Sequence, residues 1–567
     1  MLFYLLCFSQ LHLSGHITLE VGSREAGGHI GMHRYIACML PQLLYVVAVR
    51  ACYECLLKEK NMGNSSYTED EARKQRRNNR RERERAAVRM RLILSAVILV
   101  FAFAAIALAI MLSKRDGDNI DNDGFETPSE VTTEAPTDEE ESESAAAAAL
   151  AEKAIEDAKL LAAGYDYDGA ISLLEQIPDY QTYSEINNEI SRYRVEKSAC
   201  VAVDVDKVPH IFYHSLINDT NRAFNVSAVG ASMVDGLNAW MCTVEEFDEI
   251  TQRMYDNGYV FVRLRDLVVQ STDADGTIHF SKNTNLMLPK GKKAVVLSID
   301  DLSYYHSYEA AGYPDKLVLD DQGKVKCQYT DAAGNVNIGD YDVVPRLNAF
   351  LEAHPDGAYK GARGLIALTG YNGVFGYRTD IDYSVKLKLQ SDQKAWLDKH
   401  PEFDYEKDIA DAKVIAEALK AEGWEFASHT WGHLSVTNKS AEQLKTDNEK
   451  WMNTVANIVG PTDTIIFAHG NDIGNWRDYS QDNDKFAYYK SAGYNFFCNV
   501  DGSQPYWVQI RDNYVRQGRI NLDGYTLSQA KAGNEKVLNV LGNLFPNPEN
   551  VFDERRPQSV STGNSKN

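Results

Sequence analysis

A run of 21 residues without a charged side chain, residues 92–112, constrains this chain more than any other feature. At about 1.5 Å per residue, a helix of this length just crosses the ~30 Å hydrocarbon layer of a bilayer. A helix buried in a soluble domain would rarely be apolar on every face over roughly six turns. The sequence therefore predicts a transmembrane helix over residues 92–112.

The charges on either side of this run predict its orientation. Ten Lys and Arg residues lie within 73–91, whereas only Lys114 and Arg115 follow directly before an acidic stretch. The positive-inside rule makes residues 62–91 a basic cytoplasmic segment and places everything after the helix outside the cell. A nucleic-acid-binding arm is the alternative for the basic run, but a formal net charge of −22 argues against a nucleic-acid partner. We expect a single-pass protein of the cell membrane with an extracellular body.

The first 61 residues resemble no other part of the chain. They have no clear periodicity, and the Lys-Glu codons ahead of Met62 can spell a bacterial ribosome-binding sequence. We interpret residues 1–61 as a doubtful N-terminal extension, with translation beginning at Met62. A genuine hydrophobic leader is the alternative.

Two segments separate the predicted membrane helix from the main domain. Residues 113–144 are rich in Asp, Glu, Ser and Thr and predict an acidic flexible linker. Residues 145–199 predict a helical stalk, part of which resembles one tetratricopeptide-like hairpin. Because one such hairpin cannot bury its own apolar face, we expect the stalk to pack on the next domain. A partner recruited by the stalk is the alternative.

Short apolar runs alternate with helical patterns over residues 205–535. This alternation predicts a distorted (β/α) barrel of about seven parallel strands, with functional residues at the carboxyl ends of the strands. The strand candidates are residues 208–213, 259–262, 294–299, 364–368, 425–428, 464–468 and 494–498. Residues 536–567, which are polar and rich in Asn, Pro and Ser, predict a polar tail.

Two groups of candidate metal ligands follow strand candidates. Asp300 and Asp301 come directly after a buried run, where adjacent carboxylates are costly unless a cation lies beside them. His429 and His433 have the i, i+4 spacing that lets two imidazoles bind one ion. Alone, the acid pair is more often a cap or loop pair, and a lone His-x-x-x-His is more often structural. Together they predict a divalent-metal site that suits Zn²⁺, with Co, Ni and Fe as alternatives.

In this order, the motifs resemble those of the NodB-type polysaccharide deacetylases, over about 300 residues. The Asp-Asp and Ser-His-Thr-x-x-His motifs are the specific part of the resemblance, and a third motif is loose. The matching segments are VPHIFYHSL (208–216), KKAVVLSIDD (292–301), GWEFASHTWGH (423–433) and TIIFAHGNDIG (464–474).

The resemblance implies roles for the matched positions. Asp301, His429 and His433 would bind the metal, and Asp300 would be the general base that takes a proton from the attacking water. The Leu-x-His motif that supplies the family's general acid is absent, and the last His in the chain is His469.

The remaining candidate residues lie around these motifs. Because the Leu-x-His motif is absent, we expect His469 or His214 to supply the proton that the leaving amine needs. Trp431, between the two histidines, is expected to contact substrate, as are His214 and Asp472.

The predicted function is removal of N-acetyl groups from a cell-envelope polysaccharide by a membrane-anchored, metal-dependent hydrolase. A catalytically degenerate barrel that only binds glycan is one alternative, favoured by the absent Leu-x-His motif. An O-acetyl esterase that uses the same site is the other.

Overall fold

A computed structural model of the chain describes residues 138–562, with side chains from Ala147 onward. The predicted extension (1–61), cytoplasmic segment (62–91), transmembrane helix (92–112) and most of the linker (113–144) lie outside the described residues. Among the helices of the described part, none is both long enough and apolar enough to span a membrane.

The centre of the described part is a closed barrel. Its seven strands are β2, β7, β11, β12, β13, β14 and β16, which are parallel and close into a ring in the order β11-β12-β13-β14-β16-β2-β7 because β7 also pairs with β11. This ring confirms the predicted (β/α) barrel. The strands of the described part are β1 (Cys200–Ala202), β2 (His210–Tyr213), β3 (Tyr259–Phe261), β4 (Val268–Thr272), β5 (Ile278–Lys282), β6 (Met287–Pro289), β7 (Lys293–Asp300), β8 (Lys316–Leu319), β9 (Val325–Thr330), β10 (Val336–Gly339), β11 (Leu365–Leu368), β12 (Glu425–Ser428), β13 (Thr464–Ile466), β14 (Phe496–Val500), β15 (Trp507–Arg511) and β16 (Tyr514–Asn521).

Helices alternate with the barrel strands, and several pack their apolar faces against them. Phe247 and Leu347, for example, lie in one buried cluster with Val295 and Ile366 of the barrel. The helices are α1 (Asp138–Ala163), α2 (Tyr167–Glu175), α3 (Ser184–Ala199), α4 (Thr220–Ala223), α5 (Val226–Val229), α6 (Ala231–Trp240), α7 (Val244–Asp256), α8 (Val343–Ala353), α9 (Ile381–Val385), α10 (Ser391–Lys399), α11 (Tyr405–Ala421), α12 (Ala441–Thr454), α13 (Ala456–Val459), α14 (Asp484–Ser491), α15 (Gly524–Lys531) and α16 (Glu535–Leu544).

One strand of the ring differs from the sequence prediction. The candidate at 259–262 forms β3, which pairs outside the ring with the first residues of β7. The ring is completed by β16, which closes the gap between β14 and β2. Its sequence, YVRQGRIN, has no apolar run, since polar residues such as Gln517 and Arg519 occupy buried positions of this strand.

The helical stalk packs on the amino-terminal end of the barrel. Buried residues of α1–α3, such as Ala158 and Ile190, share one cluster with Ala294 and Leu365 of the barrel. Much of the apolar surface of the stalk is therefore covered by its own domain, whereas Leu150, Leu160 and Val195 remain exposed. Helix α1 begins inside the predicted linker, where a run of acidic residues suits a helix amino terminus.

Residues 536–562 do not form a polar tail, and that prediction needs correction. Val540, Leu541 and Leu544 of α16 are buried against the barrel, as is Phe552 beyond it. The apolar residues of this segment recur at helical spacing. Because they lie among many Asn and Pro residues, the composition of the segment suggests a polar tail.

Candidate metal and catalytic site

The candidate metal ligands meet at the carboxyl ends of two barrel strands. Asp300 ends β7 and Asp301 follows it, while His429 follows β12. Because both strands flank β11, their ends lie at one edge of the barrel. One ligand atom each from Asp301, His429 and His433 lies within 4.8 Å of the others. Two imidazoles and one carboxylate form a donor set that suits Zn²⁺ and related divalent ions.

The backbone at this edge is held in an unfavourable conformation. Asp301, Thr430, His433 and His469 have φ angles of +59°, +61°, +50° and +57°. Such left-handed conformations cost side-chain-bearing residues roughly 1–3 kcal/mol each and concentrate at functional sites. Their presence in three loops at one barrel edge indicates that the surrounding structure fixes the candidate ligands against their local preference.

The ring of His429 is oriented by a backbone carbonyl. Its Nδ1 lies 2.8 Å from the oxygen of Ile466, so Nδ1–H donates to that carbonyl. Its Nε2 then faces the acid pair, 3.8 Å from Asp300 Oδ2. Burial lowers the pKa of His429 to about 4, so the imidazole is neutral at neutral pH. A neutral imidazole with its second nitrogen hydrogen-bonded is the usual form of a metal ligand.

Asp300 forms a buried ion pair with Arg519. The guanidinium donates from Nη1 to Oδ1 (2.7 Å) and from Nη2 to Oδ2 (2.9 Å), and the two side chains are 1% and 4% exposed. Burial alone would raise the pKa of Asp300, but the Arg519 charge above all, together with its hydrogen bonds and a smaller interaction with His429, outweighs burial and holds this pKa well below its usual value. The carboxylate is therefore ionised and fixed in orientation.

Asp301 is held by a tyrosine. Tyr305 Oη donates to Asp301 Oδ1 (2.8 Å) and also lies 2.7 Å from Thr369 Oγ1. The other oxygen, Oδ2, lies 3.5 Å from His433 Nε2. Burial raises the pKa of Asp301, but the nearby imidazoles lower it by a larger amount, so the net shift of this pKa is downward. One carboxylate oxygen is thus anchored while the other faces the histidines.

Two further histidines lie beside this cluster. His469, in the loop after β13, contacts His433: its Nε2 is 3.1 Å from the His433 carbonyl oxygen, and the ring centroids are 4.2 Å apart. His214 follows β2, and its Nδ1 lies 3.1 Å from the Trp240 carbonyl oxygen. Tyr213, the residue before it, pairs with Ile299, the residue before Asp300, so His214 lies beside the acid pair.

Trp431 and Asp472 have structural contacts that the sequence interpretation did not anticipate. A Cβ atom built on Gly370 would lie 2.0 Å from the Trp431 ring, and Lys450 Nζ lies 3.0 Å from the ring centroid. The ring is thus packed between neighbours. Asp472 pairs with Arg516 (2.5 Å) and accepts a hydrogen bond from Tyr479 Oη. Its carboxylate therefore anchors its own loop, and its expected contact with substrate stays a prediction.

Sequence reasoning missed Arg519 and the part played by Tyr305. Arg519 belongs to the strand that lacks an apolar run, so its burial is not visible in a hydropathy pattern. Tyr305 lies four residues after Asp301, and this proximity was the one available signal. Both residues act on the acid pair through hydrogen bonds.

Comparison with known proteins identifies the domain. Residues 396–496 match the family model described as polysaccharide deacetylase, and they include His429, His433 and His469. Over these residues the chain carries a polysaccharide deacetylase domain. Enzymes of this family act on acetylated glycans. A solved structure, the Streptococcus pyogenes deacetylase PplD in complex with acetate, is 14% identical, covers 60% of this chain and 99% of its own, and has a TM-score of 0.28. No curated protein matches the chain in sequence.

Proposed function

We propose that this deacetylase domain is metal-dependent and removes N-acetyl groups from a cell-envelope polysaccharide. The observation that carries the proposal is the convergence of Asp301, His429 and His433 within 4.8 Å, beside the ionised Asp300. We further propose that residues 92–112 anchor the domain outside the cell membrane, on the strength of the apolar run and its flanking charges.

The three residues would hold one divalent ion, with Zn²⁺ suited to them and Co, Ni and Fe as alternatives. When bound, such an ion supplies a Lewis acid that polarises an acyl oxygen. The chain itself orients the ligands: the Ile466 carbonyl fixes the ring of His429, and Tyr305 fixes the carboxylate of Asp301.

Proton transfer falls to side chains around the same edge. Asp300, held ionised by Arg519, would accept the proton of the attacking water. The leaving amine must gain a proton, and His469 and His214 are the imidazoles beside the cluster that could donate it. Separate His469→Ala and His214→Ala variants distinguish them, because loss of the donor lowers kcat about 10²-fold or more.

The test uses the full chain purified in detergent. Metal content is measured by elemental analysis, and acetate release is measured on chitooligosaccharides and peptidoglycan with and without a chelator. We expect one bound divalent ion, and acetate release that the chelator removes and Zn²⁺ restores. His433→Ala should lose the ion, whereas Asp300→Asn should keep it and lose activity by about 10²-fold or more. His354→Ala, whose imidazole bonds the Phe350 carbonyl at 2.9 Å, is the matched control.

Three outcomes would contradict the proposal. Stoichiometric metal without acetate release from any substrate would favour a barrel that only binds glycan. Release from O-acetylated substrates alone would indicate an esterase. Absence of metal from protein with intact His429 and His433 would remove the metal site itself.

Tyr305→Phe tests how Asp301 is held. Removing the hydroxyl leaves Asp301 Oδ1 without its 2.8 Å hydrogen bond, so the carboxylate is less well oriented. We expect metal affinity to fall about 10–100-fold, as competition with a fluorescent chelator would measure. Tyr308→Phe, which removes the hydroxyl of the ring packed on Tyr305, is the control. Equal affinity of both variants and the parent would mean that Tyr305 does not orient the ligand.

A further inference from the structure

One tryptophan at the edge of the barrel is almost fully exposed. Trp476, in the loop after β13, exposes 74% of its surface. With Trp507 of β15 it lines a shallow depression of about 640 Å³, which we name the Trp476–Trp507 platform. The depression is completed by Arg477, Asp478, Val508, Gln509 and Arg511. Large apolar rings left in water, with polar groups around them, mark interaction surfaces.

The exposed ring is presented by a rigid loop. The buried Arg516 donates hydrogen bonds to the carbonyl oxygens of Asn475 (2.9 Å) and Arg477 (2.8 Å), the residues on either side of Trp476. The same guanidinium pairs with Asp472. Because the backbone is held on both sides, little conformational entropy remains to be lost when a ligand contacts the ring.

The segments of both tryptophans adjoin the candidate site. The loop of Trp476 carries His469, whose ring contacts His433. Trp507 lies opposite Gly518 in the β15–β16 register, and Gly518 precedes Arg519, the partner of Asp300. The platform is therefore linked to the metal cluster through the loop after β13 and through the pairing of β15 with β16.

The free chemistry of the platform is aromatic rather than ionic. Asp478 accepts hydrogen bonds from Arg511 (2.8 and 2.6 Å) and from Gln509 (2.9 Å), so these polar groups already serve one another. The guanidinium of Arg477 lies 5.4 Å from the Trp476 ring centroid, and that of Arg516 lies 4.9 Å from the Trp507 centroid. The rest of the exposed indole surface remains for contact, and the C–H face of a pyranose ring stacks on such a surface. A neutral sugar fits this surface better than an anionic ligand or lipid, because Arg511 and Arg516 are already paired with carboxylates and the Arg477 guanidinium lies over the Trp476 ring.

We propose that the Trp476–Trp507 platform binds pyranose units of the glycan chain that extend beyond the unit at the metal cluster. This inference rests on the proposed function, since the occupant of the platform is the continuation of the substrate. It predicts that the platform contributes to binding of long chains and contributes nothing to substrates too short to reach it.

The first test compares substrate lengths in the full chain. For Trp476→Ala we expect kcat/KM for acetate release to fall about 5–10-fold on chitohexaose and to change less than twofold on chitobiose. Trp507→Ala should act in the same direction. Tyr506→Ala is the matched control, because this neighbouring ring is 37% exposed and lines a different cavity, with Val201 and Lys207.

The second test needs no activity. In native gels containing glycol chitin, the parent chain should be retarded and Trp476→Ala should be retarded less. If the parent releases no acetate but its retardation still depends on Trp476, the proposed function fails and the platform stands. Equal behaviour of parent and Trp476→Ala on chitohexaose and in the gel overturns the platform, as does a parent that glycol chitin does not retard. An equal loss on chitobiose and chitohexaose also overturns it, because Trp476 would then act on the metal site.

Discussion

Replacing Arg519 by Met is expected to lower the free energy of unfolding by about 3–5 kcal/mol and acetate release by about 10²-fold or more. The side chains of Arg519 and Asp300 are 1% and 4% exposed, so the variant leaves a carboxylate buried without its cation. Burial then raises the pKa of Asp300, which protonates and no longer accepts a proton. Chemical denaturation and the acetate assay measure the two effects.

The stability of both the parent and Arg519→Met should depend on pH, but in opposite directions. In the parent, the folded-state pKa of Asp300 is depressed, so the pair stabilises the fold above the unfolded-state pKa of about 3.9 and this stabilisation is lost as the pH falls. In Arg519→Met the folded-state pKa is raised, so stability falls as the pH increases above about 3.9. The difference between parent and variant should therefore widen from pH 4 to pH 7.

A double variant separates the lost ion pair from lost packing. Asp300→Asn with Arg519→Met removes both charges, and it should recover most of the lost stability without recovering activity. Arg511→Met is the matched control, because its pair with Asp478 is 44% and 58% exposed and should contribute less than about 1 kcal/mol. A double variant no more stable than Arg519→Met alone would contradict this explanation.

The strands and the metal ligands could be predicted because each follows from a local pattern. Apolar runs of four to eight residues locate six strands of the ring, and the Asp-Asp and His-x-x-x-His motifs follow two of these runs. Since carboxyl ends of parallel strands meet at one edge, the sequence could predict that Asp301, His429 and His433 lie together.

What could not be predicted depends on contacts distant along the chain. Arg519 lies 219 positions from Asp300, in a strand whose buried side chains are partly polar. Asp472 has no partner that is visible in the sequence. Its partner, Arg516, lies 44 positions away, in the same strand as Arg519. Hydropathy detects burial of apolar residues only, and buried polar residues become visible only when their partners are known.

A second large effect on stability is expected from replacing Arg556, which lies in the segment that the sequence predicts to be a polar tail. Its guanidinium and the Glu246 carboxylate are both fully buried and lie 2.6 Å apart. It also donates to the carbonyl oxygens of Asn238 (2.6 Å) and Met241 (3.1 Å). Arg556→Met should lower the free energy of unfolding by about 3–5 kcal/mol, because burial already raises the pKa of Glu246 and the variant leaves this carboxyl buried without its cation. Thermal and urea unfolding measure the loss.

Arg555 offers a matched control, because it is the adjacent residue with the same charge but is 51% exposed. Arg555→Met should change stability by no more than about 1 kcal/mol. Equal destabilisation by both variants would mean that the segment is held by something other than the buried pair.

The contacts of Arg556 also reach toward the candidate site. Asn238 belongs to α6, and the carbonyl of Trp240 at the end of this helix accepts the hydrogen bond from His214 Nδ1. Loosening α6 should therefore disturb the orientation of His214 next to the acid pair. We expect folded Arg556→Met, assayed well below its midpoint of unfolding, to lose acetate release while it keeps its metal, because His429, His433 and Asp301 lie on other elements. Unchanged activity in the folded variant would separate the carboxyl-terminal segment from the chemistry and leave it a role in stability alone.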